Sequence, residues 1–294
     1  HEHHGHGATA NPKLQKLAKF VDALPRPRRL SGPSIELAAT EFSAKLHRDL
    51  PATLLWGYGG SVPGPTIEAV RGTPTRVRWV NDLRNPRLLA SLPVDETLHW
   101  ANPLGTAHGS GHAGHGAPPA YAGPVPLVAH LHGAEVASAS DGHPDAWSTP
   151  GLAQKGPAWA GEWSEYPNAQ PANTLWYHDH ALGITRLTVY AGLAGMYLLR
   201  DPAFERELRL PEGDYEREIV IQDRSIGEDG QLVYPREGVE PAEHPFWTPE
   251  FFGDAILANG KLWPYLEVEP RRYRLRLVNG SNARFFRLRI SDGR

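Results

Sequence analysis

The chain has 294 residues, a formal net charge of −3 and no cysteine. This length is enough for more than one ordinary domain. The missing cysteines exclude disulfides, zinc–thiolate sites and thiol nucleophiles. Basic and acidic residues are mixed throughout, which argues against a nucleic-acid-binding stripe. The 15 histidines make imidazole, together with carboxylate, the available metal ligand.

Membrane and targeting signals are weak along the whole sequence. No apolar run approaches the ~20 residues of a membrane span. The N-terminus has neither the charged nor the apolar region of a signal peptide. We therefore expect a soluble, cytoplasmic protein. Export after removal of a leader is the alternative, because the first residue is not Met.

The first predicted element is a short helix over residues 14–29, ended by Pro25 and Pro27. Residues 62–83 then alternate apolar and polar side chains between Gly and Pro, a pattern typical of strands and turns. Residues 184–201 also suggest paired strands. A polar connection over 202–218 follows them.

The second half begins with a predicted strand over 219–226 and has its clearest alternation over 255–290. There we expect antiparallel strands in which Tyr273, Leu275 and Leu277 face the core and the intervening arginines face solvent. The fold class is all-β, a sandwich or Greek-key barrel. We expect an N-terminal segment over 1–30, a first domain over 31–201, a linker over 202–218 and an incomplete second domain over 219–294.

Two histidine pairs are the main functional signal. His130 and His132 lie in 128-VAHLHGAEV-136, and His178 and His180 lie in 174-TLWYHDHALG-183. Alternate residues of a strand project from the same face, with Cα atoms about 6.7 Å apart. With metal–nitrogen bonds of about 2 Å, each pair can share one metal or serve two neighbouring metals.

A single such pair is more often a surface or core feature than a ligand set. Two pairs in apolar surroundings favour metal binding, because buried neutral imidazoles each need a partner. Copper, zinc and non-haem iron all suit imidazole ligands.

The other histidines lack this pairing. His99, His143 and His244 are expected to be core or loop residues. The Gly-rich segment 105–124 is predicted to be a mobile surface loop. Its histidines are His108, His112 and His115. These histidines and those of the N-terminus are expected to bind metal only adventitiously.

HLHG, DGHPDAW and YHDHALGITRLTVYAGLAGMYLLRD together resemble the multicopper oxidases. Within that family they are similar to the bacterial branch with spore-coat laccase, phenoxazinone synthase and bilirubin oxidase. Segments such as LHRDLPATLLWGYGGSVPGPTIE extend the resemblance over most of the chain, as an N-terminal portion. It implies cupredoxin-like domains and a copper-dependent oxidase that takes single electrons from phenols or aminophenols and reduces dioxygen to water.

The resemblance also implies roles for individual residues. His130 would bind the type 2 copper, and His132, His178 and His180 would bind the type 3 pair. Asp141 would supply protons to this trinuclear cluster, although Asp is also favoured in such a turn. Asp179 should point away from the metals and support the site, and Trp176 and Tyr177 should pack.

The sequence departs from the family in two respects. The family's type 1 copper needs a cysteine, and its cluster needs eight histidines, of which four are present. We therefore expect part of a longer oxidase, inactive alone, whose partner is a C-terminal cupredoxin domain. A non-catalytic copper-binding module is the alternative. A zinc hydrolase site of the HxHxDH type is disfavoured by Ala181 and Leu182.

Overall fold

The computed structural model describes residues 11–96, 98–105, 121–236 and 250–290. His108, His112, His115 and His244, the N-terminal histidines and most of the predicted 105–124 loop lie outside these residues. The helix predicted over residues 14–29 is a single 3-10 turn, Leu14–Lys16. The helical conformation ends at Leu17, whose ψ of 136° is extended, well before the prolines are reached.

The first part of the chain forms two sheets. One has the strand order β1-β4-β9-β8-β6 and the other has β3-β2-β5-β7. Their bounds are β1 (Arg29–Leu30), β2 (Ser34–Ala44), β3 (Thr53–Tyr58), β4 (Gly64–Val70), β5 (Thr75–Asn81), β6 (Ala129–His132), β7 (Trp163–Tyr166), β8 (Asn173–Asp179) and β9 (Ala194–Arg200). Short 3-10 turns lie at Arg87–Ser91, Ser138–Ser140 and Pro150–Leu152.

The two sheets share one hydrophobic core, as a β-sandwich does. Leu37 of β2 and Ile67 of β4 are almost fully buried in it. The rings of Tyr58 and Tyr177, one from each sheet, meet edge-on with centroids 5.4 Å apart. The predicted all-β sandwich is therefore confirmed.

A third sheet contains the later strands: β10 (Glu216–Ile226), β11 (Leu232–Val233), β12 (Ala255–Ala258), β13 (Lys261–Leu262) and β14 (Arg274–Asn279). It follows the short helix α2 (Pro202–Glu207) and the 3-10 turn Gly213–Tyr215. Met196 and Leu198 on the outer face of β9 pack against Val220 and Val278 of this sheet. The chain passes from the first two sheets to the third near the predicted linker. The division into two domains stays a prediction.

The expected orientation of β14 is wrong. Arg276 is 6% exposed, whereas Leu275 and Leu277 are 46% and 43% exposed. Arg276 points inward because it pairs with the buried carboxylate of Glu216. β14 also runs parallel, not antiparallel, to β10.

The prediction of paired strands over 184–201 is correct only for β9. Residues Thr185–Ala191 form the helix α1. Leu187, Tyr190 and Ala191 are buried at helical spacing, and this packing outweighs the strand preference of the β-branched residues. Gly192, with φ 129°, ends the helix. No helix in the described part of the chain is long and apolar enough to cross a membrane.

Candidate metal centre

Strands β6 and β8 bring the two histidine pairs together. They are antiparallel neighbours in which His130 lies directly opposite His178. His180 follows the last residue of β8, and its backbone N–H donates to Val128 O at 2.8 Å. The His130 ring centroid lies 5.4 Å from those of His132 and His178, and 4.7 Å from that of His180.

Three of these imidazoles are oriented by backbone carbonyls. The Nδ1 of His178 is 2.8 Å from Asp179 O, and the Nδ1 of His180 is 3.0 Å from Gly142 O. The Nδ1 of His130 bonds Asp141 O. Because a carbonyl can only accept, each Nδ1 carries the proton and each Nε2 keeps a lone pair for a metal.

His132 uses its other ring nitrogen. Its Nδ1 lies 3.4 Å from His178 Nε2. Two nitrogens bound to one tetrahedral metal at about 2.0 Å would be about 3.3 Å apart. The spacing of these two atoms therefore fits a shared metal.

The electrostatics favour the neutral form of His132 and His178. Burial lowers the pKa of His178 to about 4, helped by the neighbouring histidines and opposed by its hydrogen bond to Asp179 O. Burial, then His130 and His180, also lower the pKa of His132. Neutral imidazole is the form that binds metals.

The donor set itself fits an imidazole-binding metal. One ligand nitrogen from each of His130, His132 and His178 lies within 4.8 Å of the others. His180 stacks on His130 with an interplanar angle of 24°. Because the chain contains no cysteine, no thiolate ligand is available. Copper fits such a set.

Gly142 allows the loop after β6 to approach the histidines. Its φ is +79°, and a Cβ at this position would lie 2.2 Å from Ala129 O. Only glycine combines this conformation with this approach. Thus the carbonyls of Asp141 and Gly142 reach the His130 and His180 rings.

Asp179 is fully buried on the other side of β8, as expected. Its carboxylate accepts from Val128 N at 2.8 Å and from Thr188 Oγ at 2.6 Å. Burial raises the pKa of Asp179 to about 7 against these hydrogen bonds. It joins β6, β8 and α1 behind the histidines.

The other residues considered from the sequence occupy different positions. Asp141 has a side chain that is 47% exposed, with its carboxylate 3.6 Å from His130 Nδ1. Tyr177 is buried in the sandwich core, where its hydroxyl donates to Pro65 O at 2.6 Å. His99 and His143 are exposed, and His143 Nδ1 accepts from Asp145 N.

Sequence reasoning missed the contact that Trp176 makes. Its ring packs against His178 with centroids 4.3 Å apart and against His132 at 5.6 Å. The signal was available, because Trp176 stands two residues before His178 on one strand. Period-two alternation places both on the same face.

The four histidines and Trp176 line a cavity of about 640 Å³, the histidine cavity. The rest of its lining comes from α1 and from the third sheet with its loops. These residues are Thr185, Arg186, Val189, Tyr190, Arg224, Tyr234, Phe251 and Gly280 to Ala283.

Comparison with known proteins identifies the family. The chain is 46% identical to a laccase of Bacillus stratosphericus and 43% identical to a laccase of Bacillus subtilis, in each case over 94% of the chain. It is 42% identical to the multicopper oxidase LPR1 of Arabidopsis thaliana over 96% of the chain. The chain belongs to the multicopper oxidase family. No family model matches it.

Solved multicopper oxidases share the fold. McoA of Aquifex aeolicus superposes with a TM-score of 0.62 at 24% identity, over 90% of the chain and 47% of McoA. A laccase from Pediococcus acidilactici gives 0.60 at 24% identity, over 92% and 50%. The predicted cupredoxin-like all-β fold is confirmed.

This multicopper oxidase chain spans about half the length of the curated relatives it matches. It covers 52% of each Bacillus laccase and 48% of the Arabidopsis protein.

Proposed function

We propose that this chain supplies four histidine ligands to the copper cluster of an oxidase. The oxidase would withdraw single electrons from small aromatic donors and reduce dioxygen to water. One observation carries the proposal: three imidazoles, fixed through Nδ1 by backbone carbonyls, and His132 Nδ1 all project free nitrogens into one cavity.

The geometry suggests how the ligands divide. His132 and His178 would share one copper of the type 3 pair, because their nitrogens are 3.4 Å apart. His180 would bind the second copper of that pair and His130 the type 2 copper. These assignments rest on the motif order and on the separate ring positions of His130 and His180.

Copper bound here would supply the redox chemistry of dioxygen reduction. The chain's own residues would hold and orient it. The backbone carbonyls prevent ring rotation, and the lowered histidine pKa values keep lone pairs available near neutral pH. Asp141 would pass protons inward, because its half-exposed carboxylate contacts solvent and lies beside His130.

The remaining parts would come from a further cupredoxin domain outside this sequence. The chain has no cysteine for a type 1 copper and spans about half of its relatives. That domain would complete the cluster and receive electrons. The proposed donors are phenols or aminophenols, consistent with the relatives named laccase.

Copper binding to the chain itself is the first test. We expect weak copper binding without the blue absorption of a type 1 centre. His178→Ala should lower the affinity more than about 100-fold, because losing even an outer hydrogen-bond partner of a ligand costs 10–100-fold. His143→Ala is the matched control and should leave copper affinity unchanged. Equal affinities in both variants would refute the ligand assignment.

Catalysis is tested in the protein that contains both halves. There His130→Ala or His180→Ala should abolish oxygen consumption while the donor still reduces the type 1 centre. If the unchanged two-half protein binds copper but consumes no oxygen with any phenolic donor, the alternative of a non-catalytic copper module is correct.

A further inference from the structure

Apart from its histidines, the charged side chains described in the lining of the histidine cavity are arginines. Among the described residues that line it, two are arginines, Arg186 and Arg224, and none is a carboxylate. A concave, largely apolar site with one sign of charge concentrates ions of the opposite sign. The carboxylate of Asp95 opposes the charge of Arg186, so the charge that suits the cavity to an anion is that of Arg224.

Arg224 is the main evidence for an anion site in this cavity. It is 2% exposed, and in the described part of the chain no carboxylate lies within 4.0 Å of its guanidinium. The group donates to Asp223 O at 2.8 Å and to Val189 O at 3.3 Å, and it stacks on Tyr190 at 4.8 Å. Neutral carbonyls and an aromatic face compensate a buried charge only in part.

The adjacent Asp223 carboxylate is engaged elsewhere. One of its oxygens accepts from the backbone and side-chain N–H groups of Asn282, and the other accepts from Gly253 N. Because successive residues of a strand point to opposite faces, Asp223 and Arg224 of β10 are directed apart. Asp223 acts on Arg224 through space and not as its ion-pair partner.

The second guanidinium lies in the same region, where the carboxylate of Asp95 partly offsets its charge. Arg186 lies over Tyr234 at 5.5 Å, and the rings of Tyr234 and Tyr190 are 5.0 Å apart. Arg186 also donates to Pro93 O at 3.0 Å. The two cations thus flank one aromatic pair on the cavity wall.

We propose that this wall is an anion-binding site centred on the Arg224 guanidinium, next to but separate from the histidine ligands. Its ligand is a single carboxylate or another small monovalent anion, which a guanidinium binds through charge-assisted hydrogen bonds. Such an anion can be free in solution or can be the Asp or Glu side chain of a polypeptide that covers the cavity.

Acetate is the probe for the metal-free full chain. Thermal unfolding is followed as sodium acetate is added, and the midpoint should rise with saturation as expected for a ligand of the native state. Arg224→Gln should raise the dissociation constant for acetate about tenfold or more. The exposed Arg272→Gln is the matched control, which removes the same charge and should bind acetate as the original chain does.

Bromide soaked into crystals of the unchanged chain gives a second measurement that needs no variant. We expect an anomalous peak within hydrogen-bonding distance of the Arg224 guanidinium. A missing peak, together with equal acetate effects in Arg224→Gln and Arg272→Gln, would overturn the proposal.

The source of the anion is decided in the protein that contains both halves. If the chain alone binds acetate and the larger protein does not, a covering polypeptide supplies the carboxylate. If both bind acetate, the ligand comes from solution. Both measurements are made without copper, so a failure here is distinct from a failure of the proposed copper function.

Discussion

Gly142 shows how a residue with no side chain can determine the geometry of a metal centre. Its own carbonyl holds His180, and the preceding carbonyl of Asp141 holds His130. Both contacts depend on the positive φ of Gly142 and on its close approach to β6. A Cβ added at Gly142 would lie 2.2 Å from Ala129 O. Any side chain here must push the loop away from the rings.

We predict that Gly142→Ala lowers both stability and copper affinity. Gly72→Ala is the matched control, because Gly72 has φ +75° and no atom within 4 Å of an added Cβ. Both variants carry the cost of positive φ, and only Gly142→Ala adds the clash, about 2 kcal/mol more in urea unfolding. Equal losses in the two variants would contradict the proposed close approach.

In strand β14 the buried face is the opposite of the one that the sequence predicts. Its alternation predicted a strand correctly, but the choice of buried face was wrong because charge pairing reversed it. Val278 is 9% exposed and packs with Met196 and Leu198, whereas its neighbour Leu277 is 43% exposed. A pattern of alternation alone does not state which face meets partners from another sheet.

This orientation gives a direct test in one strand. Val278→Ser should destabilise the chain by about 2 kcal/mol, because it removes buried apolar atoms and buries a hydroxyl. Leu277→Ser should change the free energy of unfolding by less than about 0.5 kcal/mol, as exposed positions do. Urea denaturation of both variants checks the order, and a larger loss for Leu277→Ser would reverse the assignment.

The elements that could be predicted well from the sequence are those governed by local periodicity. Period-two spacing was enough to place His130 beside His132 and His178 near His180. The helix α1 was missed because Thr185, Thr188 and Val189 favour strands locally and the packing of Tyr190 decides otherwise. The carbonyl anchors were also unpredictable, because Gly142 and His180 are 38 residues apart in the chain.

At the scale of the whole molecule, an ion network joins the first and third sheets. Glu216 of β10 accepts from Arg200 of β9 at 2.6 Å and from Arg276 of β14. Arg200 also contacts Glu68 of β4, and Arg274 contacts Glu205 of α2. The Glu216 side chain is 1% exposed, so its charge depends on these partners.

We predict a pH-dependent loss of stability in Glu216→Gln. Burial raises the pKa of Glu216, but hydrogen bonds from Arg200 and Arg276 outweigh it and lower the pKa from 4.5 to about 2. A carboxyl with a depressed native pKa stabilises the fold above its unfolded pKa and loses that effect as pH falls. The variant should be about 3 kcal/mol less stable at neutral pH.

The difference from the original chain should shrink as the pH falls from 4.5 towards 2. Urea unfolding across this range measures it. Glu36→Gln is the control, because Glu36 pairs with Arg78 at 2.9 Å but is 60% exposed and should contribute little. A loss for Glu216→Gln that is the same at every pH would show that the ion pairs are not its cause.

The backbone carbonyls behind the histidines have a consequence for sequence changes in this loop. Substitution of the side chain at position 141 leaves the oxygen that holds His130 in place. The position of the His130 ring is therefore insensitive to the side chain at this residue, so long as the loop keeps its path. Insertion or deletion of a single residue between β6 and Gly142 shifts both oxygens at once. For the ring positions, loop length in this segment therefore matters more than the side chain at position 141.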